Sequence, residues 1–170
     1  MRDQFNRMVT FSAAQAPWYQ IPCPFSEKLD EKGERMVETA TARAKAIPDV
    51  KDIWIHWGDE IGVVAKADHI QPCPVCRAEF RKFARDLGLT PQTLGKQKWD
   101  EVIPFADWKP GMPTGGSWPC KTAAQAANLY YSMRFMNVAT ALVYTETSRV
   151  LKKRGIHVSP LRGPSPSWNG

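Results

Sequence analysis

Ile53-Trp54-Ile55-His56-Trp57-Gly58-Asp59-Glu60 is an apolar run that stops on a glycine and two carboxylates. β-Branched and aromatic side chains suit a pleated, half-buried surface, so residues 53–57 are expected to form a strand. A strand that ends this way delivers ionisable groups to the rim of a sheet, where ligands bind in α/β folds. Neighbouring strand residues point to opposite faces, so Asp59 and Glu60 share a direction only if the strand has already ended. Glu60 is expected to face the site, and Trp54, His56 and Trp57 to shape it. Indole offers a broad apolar platform with a polar edge, which suits a sugar ring. It also pushes a nearby carboxyl group toward its neutral form, as a general acid requires. The competing reading is an acid pair that only caps the next turn.

Outward from this run, residues 8–11 read as a short strand. Ser26 looks like an N-cap for a helix over 27–46, with Leu29, Met36, Val37, Ala40 and Ala44 as its apolar stripe and Pro48 as its stop. After the acids, a loop leads to Cys73. Phe80, Phe83, Ala84 and Leu87 then mark one helical face, with Gly88 as C-cap. Thr90-Pro91 restarts a short helix. Residues 99–121 contain four prolines and three glycines, which predicts a long irregular insertion, functional or mobile. Residues 122–154 form the longest helix, stopped by Gly155, and residues 156–159 a last strand. Tyr130, Tyr131 and Phe135 read as packing residues, and His157 as a core or rim histidine.

The order of strands and helices predicts parallel βαβ units with right-handed crossovers. The expected fold is α/β, a partial (β/α)8 (TIM) barrel segment. It would comprise about three parallel strands (near 8–11, 53–57 and 156–159), flanking helices and the insertion, in one domain over 1–170. Three such strands bury neither edge, so the sheet is expected to continue in a missing remainder of the barrel or in an oligomer.

The net charge is +6, but the basic residues are dispersed. The densest run, Lys152-Lys153-Arg154, falls where a helix should end and complements its dipole. Without a recognition motif this does not point to nucleic acid. No apolar run approaches the roughly 18 residues of a membrane span. The first residues carry charge but no apolar signal region, so the cytoplasm is the default compartment. There, Cys23, Cys73, Cys76 and Cys120 are expected to bind metal or stay free rather than form disulfides. Cys73-Pro74-Val75-Cys76 opens a helix, where thiolate is stabilised, so a thiol oxidoreductase using Cys73 and Cys76 is a further alternative. A thioredoxin-like site, however, follows its strand directly, and here a long loop intervenes.

The Gly58-Asp59-Glu60 strand end, the Cys73–Cys76 pair, the helix Arg77-Ala78-Glu79-Phe80-Arg81-Lys82-Phe83-Ala84 and the segment Lys98-Trp99-Asp100-Glu101-Val102 together resemble the β-galactosidases of glycoside hydrolase family 42 and related barrel hydrolases. The likeness is sharpest over residues 54–102. It implies a carbohydrate substrate, Glu60 as general acid/base, and Asp59, Trp57 and His56 as substrate-binding residues. Asp59 stands where that family has Asn. Retaining glycosidases use a second carboxylate about 5 to 5.5 Å from the first, which the family takes from a later strand. Glu101, Asp107 and Glu146 are poor substitutes, so the chain is expected not to catalyse alone. The resemblance also implies a structural zinc held by Cys23, Cys73, Cys76 and Cys120, with His69 in reserve, which would tie three loops together and leave no open position. The non-enzymatic alternative is a zinc-stabilised module that binds carbohydrate or protein.

Overall fold

The computed structural model describes residues 8–12, 23–25, 28–56, 67–109 and 120–159, without the side chains of 8–12, 56 and 159. These residues fall into two compact units, and the longest helix contributes to both. The first draws on residues 8–12, 28–56 and 142–159, the second on residues 23–25, 67–109 and 120–141.

In the first unit, β1 (Met8–Ser12), β2 (Asp52–His56) and β3 (His157–Ser159) form a parallel sheet in the order β1-β2-β3. The register pairs Thr10 with Trp54 and Trp54 with His157. Helix α1 (Leu29–Lys45) buries Leu29, Lys32, Gly33, Met36, Ala40 and Ala44. The spacing of three and four keeps these on one face. Asp30 and Glu31 in its first turn and Arg43 and Lys45 in its last complement the macrodipole. Its N-cap is Lys28, without a side-chain capping bond; the expected cap, Ser26, lies outside the described residues.

The C-terminal part of α4 (Ala123–Lys153) packs against α1 at Gly33. A Cβ built there would meet the Val150 Cβ at 2.6 Å, so only glycine lets the two backbones come this close. The helix closes in a Schellman motif. Gly155, at φ 75°, donates to the Lys152 carbonyl at 3.0 Å, and Ile156 donates to that of Leu151 at 3.0 Å. The turn folds Ile156 into the core and aims the chain into β3.

The second unit is helical. Helix α2 (Ala67–Ile70) is one turn, and α3 (Pro74–Asp86) starts with proline at N1 and Cys73 as N-cap. Cys76, Phe80 and Ala84, four residues apart, are its buried face. Another Schellman turn ends it. Gly88, at φ 71°, donates to the Arg85 carbonyl at 2.8 Å, and Leu89 donates to that of Ala84 at 3.0 Å. Short 3-10 turns at Gln92–Leu94 and Trp99–Glu101 follow.

The partial (β/α)8 barrel is therefore overturned. Helices of 17, 4, 13 and 31 residues dominate strands of only 5, 5 and 3. A barrel crossover is one helix laid back on the sheet. Here the stretch between β2 and β3 builds a separate core from Ile70, Cys76, Phe80, Leu94, Val102, Phe105, Trp108 and Phe135. Alternating strands and helices are common to any βαβ arrangement. The pattern does not say whether helices between two strands cover the sheet or each other.

The described part of the expected irregular insertion, residues 99–109, also changes meaning, while residues 110–119 lie outside the described residues. Val102, Phe105 and Trp108 are buried, and polar side chains pin the backbone between them. Ser132 Oγ accepts from the Phe105 N–H at 2.8 Å, and Asn128 Oδ1 accepts from that of Ala106 at 3.0 Å. Asn128 Nδ2 donates to the Ile103 carbonyl at 3.1 Å, and Arg81 Nε to that of Val102 at 3.0 Å. Irregular backbone can be buried only when its polar groups find such partners. Phe105 holds a φ of 52°, a left-handed conformation that costs roughly 1–2 kcal/mol outside glycine and is sustained by these bonds.

Candidate metal centre

Cys23, Cys73 and Cys76 come from two places in the sequence and meet in the second unit. All three sulfurs lie within 4.8 Å of one another. Cys23 and Cys76 are buried, Cys73 is half-buried, and none is in a disulfide. The Cys23 and Cys76 sulfurs are 3.5 Å apart.

The local fold explains the convergence. Cys73 is the last non-helical residue before α3, with φ −70° and ψ 121°, and Pro74 fixes the entry into the helix. Three residues on, Cys76 lies on the buried face with Phe80 and Ala84, so the pair spans the helix start from rim to core. Cys23 enters beside Phe25, whose ring stacks on Phe135 at 5.1 Å. Arg77 Nε donates to the Gln71 carbonyl at 2.6 Å, and Gln71 Nε2 donates to that of Phe105 at 2.7 Å. These bonds lock the turn between α2 and α3 to the buried loop.

The electrostatics suit a cation. Burial pushes the Cys76 thiol well above its ordinary 9.0, and the neighbouring Cys23 and Cys73 raise it further. Without a positive charge the Cys76 thiol stays protonated. A metal ion supplies that charge and converts thiols into ligands. A tetrahedral zinc with Zn–S bonds near 2.3 Å needs sulfurs about 3.8 Å apart, a spacing these three reach with small adjustments. Three close cysteines can thus hold a metal ion.

Of the other expected ligands, Cys120 is half-buried and is not part of this group. His69 sits on α2 between the fully buried Ala67 and Ile70, and its Nδ1 is buried without a hydrogen-bond partner. An orphaned buried polar group costs about 1–3 kcal/mol, and its lack of a partner is not legible in the sequence.

Trp57, Asp59 and Glu60 lie outside the described residues, and His56 is placed only by its backbone, as the last residue of β2. Trp54 stacks on His157 with ring centroids 4.7 Å apart, and His157 Nε2 lies 3.7 Å from an Asp52 carboxylate oxygen. Both partners of that pair are about half exposed, so it contributes at most about 1 kcal/mol. Glu101 accepts from the Gln97 N–H at 3.0 Å, and Glu146 pairs with Arg149 at 3.0 Å. Asp107 is exposed. Tyr130 is exposed as well, against expectation, and packs edge-on to Tyr131 at 5.1 Å. No helix among the described residues is long and apolar enough to cross a membrane. Comparison of the chain with protein-family models, with curated proteins and with solved structures finds no match.

Proposed function

We propose that the chain is a metal-organised module, in which a structural zinc at Cys23, Cys73 and Cys76 holds the helical unit together. The observation that carries this reading is the meeting of the three sulfurs, two of them buried, at the start of α3. A zinc there would tie Cys23 to the α3 entry. A thiol oxidoreductase would instead need an accessible thiol of lowered pKa, whereas Cys76 is fully buried and its thiol is raised. Zinc content of the purified full chain tests the proposal. One zinc per chain, lost in Cys23→Ser and Cys76→Ser, supports it; a metal-free chain that is equally folded rejects it.

A second reading is favoured by one feature of the sheet. β2 is the central strand and ends at His56, four residues before Glu60. Ligands of open parallel sheets bind beyond the carboxyl ends of the strands. The likeness to family 42 then proposes Glu60 as an acid that acts on a glycosidic bond. Its test is hydrolysis of aryl glycosides by the chain and by Glu60→Gln; equal rates in both rule it out.

A further inference from the structure

We infer that His69, rather than Cys120, is the fourth ligand of the metal centre. The inference rests on the reading that the three cysteines hold a metal.

Three features converge on this imidazole. Ala67 and Ile70, on either side of it, belong to the same hydrophobic cluster as Cys23 and Cys76, so α2 packs in the neighbourhood of the sulfurs. The spacing His69-x3-Cys73-x2-Cys76 keeps three donors within eight residues, and its Cys-x2-Cys interval is one that structural zinc sites use. The Nδ1 atom is buried and has no hydrogen-bond partner. The mutual group within 4.8 Å consists of the three sulfurs, so ligation by His69 requires its ring to shift toward them, which would give the orphaned nitrogen a bond.

Charge favours the same choice. Three thiolates and a neutral imidazole around Zn²⁺ leave one net negative charge, whereas four thiolates leave two. The centre borders a cluster that contains Ile70, Phe80 and Phe135, where each uncompensated charge is costly. Cys120, like His69, lies outside the mutual group, and it is not among the residues of the cluster that takes in Cys23, Cys73 and Cys76. The resulting site has four protein ligands and no position for water, which makes it structural.

X-ray absorption at the zinc edge of the full-length wild-type chain reads the ligand set directly. The expected result is three sulfurs near 2.3 Å and one nitrogen near 2.0–2.1 Å, with the outer-shell scattering of an imidazole. Cobalt titration of the variants gives the second arm. His69→Ala is expected to weaken Co²⁺ binding more than roughly tenfold, the smallest loss seen even when an outer partner of a ligand is removed. Cys120→Ser should bind as wild type does. His69→Cys, which keeps a fourth donor, should recover tight binding with stronger sulfur-to-cobalt absorption. A four-sulfur shell, or a Cys120→Ser chain that loses affinity while His69→Ala does not, overturns the assignment and leaves the metal reading intact. A wild-type chain that binds neither zinc nor cobalt overturns both.

Discussion

Cys23 and Cys76 are separated by 53 positions in the chain, yet their sulfurs approach to 3.5 Å with both residues buried. A neutral thiol pair at this distance is a weak hydrogen bond. The same pair deprotonated around a cation is a cross-link. Which of the two is present sets how the second unit responds to pH and to metal.

Burial holds the Cys76 thiol above its ordinary 9.0. The folded state then grips this proton more tightly than the unfolded state does. Its contribution to stability is full below pH 9 and is lost as the pH rises through the folded value. Urea midpoints of metal-free wild type should therefore fall more steeply between pH 8 and about 10.5 than those of Cys76→Ala. The metal-loaded chain should show the opposite sign, because protons compete with the ion and weaken the site as the pH falls. Parallel curves for metal-free wild type and variant would contradict the burial argument.

Gly33 and Val150 give a prediction that inverts helix propensity. Alanine in a helix interior is favoured over glycine by about 1 kcal/mol, yet its Cβ would stand 2.6 Å from the Val150 Cβ. Overpacking of this kind costs about 1–3 kcal/mol. Gly33→Ala should lower stability in chemical denaturation, whereas alanine at the exposed Glu38 should stay within about 0.5 kcal/mol of wild type. A Gly33→Ala chain more stable than wild type would show that the helices are not this close.

The buried loop supplies a third test. Asn128→Ala leaves the Ala106 N–H and the Ile103 carbonyl unpaired, and Ser132→Ala does the same to the Phe105 N–H. Each should cost about 1–3 kcal/mol. Because both side chains hold one strained turn around Phe105, the double variant should cost less than the sum of the two. Strict additivity in thermal unfolding would mean that they act independently.

Local features were legible in the sequence, and the long-range arrangement was not. The β-branched run before Gly58 and the stops at Gly88 and Gly155 follow from backbone and side-chain sterics, which act over a few residues. The barrel expectation fails because the spacing of Phe80, Phe83, Ala84 and Leu87 reports an apolar face without naming what covers it; Phe80 and Ala84 share one cluster with Phe135, Val102 and Phe105. The loop over 99–109 was hidden because its satisfaction depends on Asn128 and Ser132, polar residues on an otherwise ordinary helix. At the metal centre, the cysteines were visible as types and spacings. The partnerless state of His69 Nδ1 exists only once α2 has folded into its core. The residues of the proposed glycosidic site, Trp57, Asp59 and Glu60, stand where the resemblance alone speaks.

Calorimetric unfolding of the full chain, without zinc and with zinc in free excess, tests the central claim most directly. A ligand present at about a thousand times its dissociation constant stabilises by about 4 kcal/mol, and for a chain of this size that is about a 10 °C rise in the unfolding midpoint. The rise should disappear on chelation and be absent in Cys76→Ser. A midpoint indifferent to zinc in the wild-type chain would contradict a structural role for Cys23, Cys73 and Cys76.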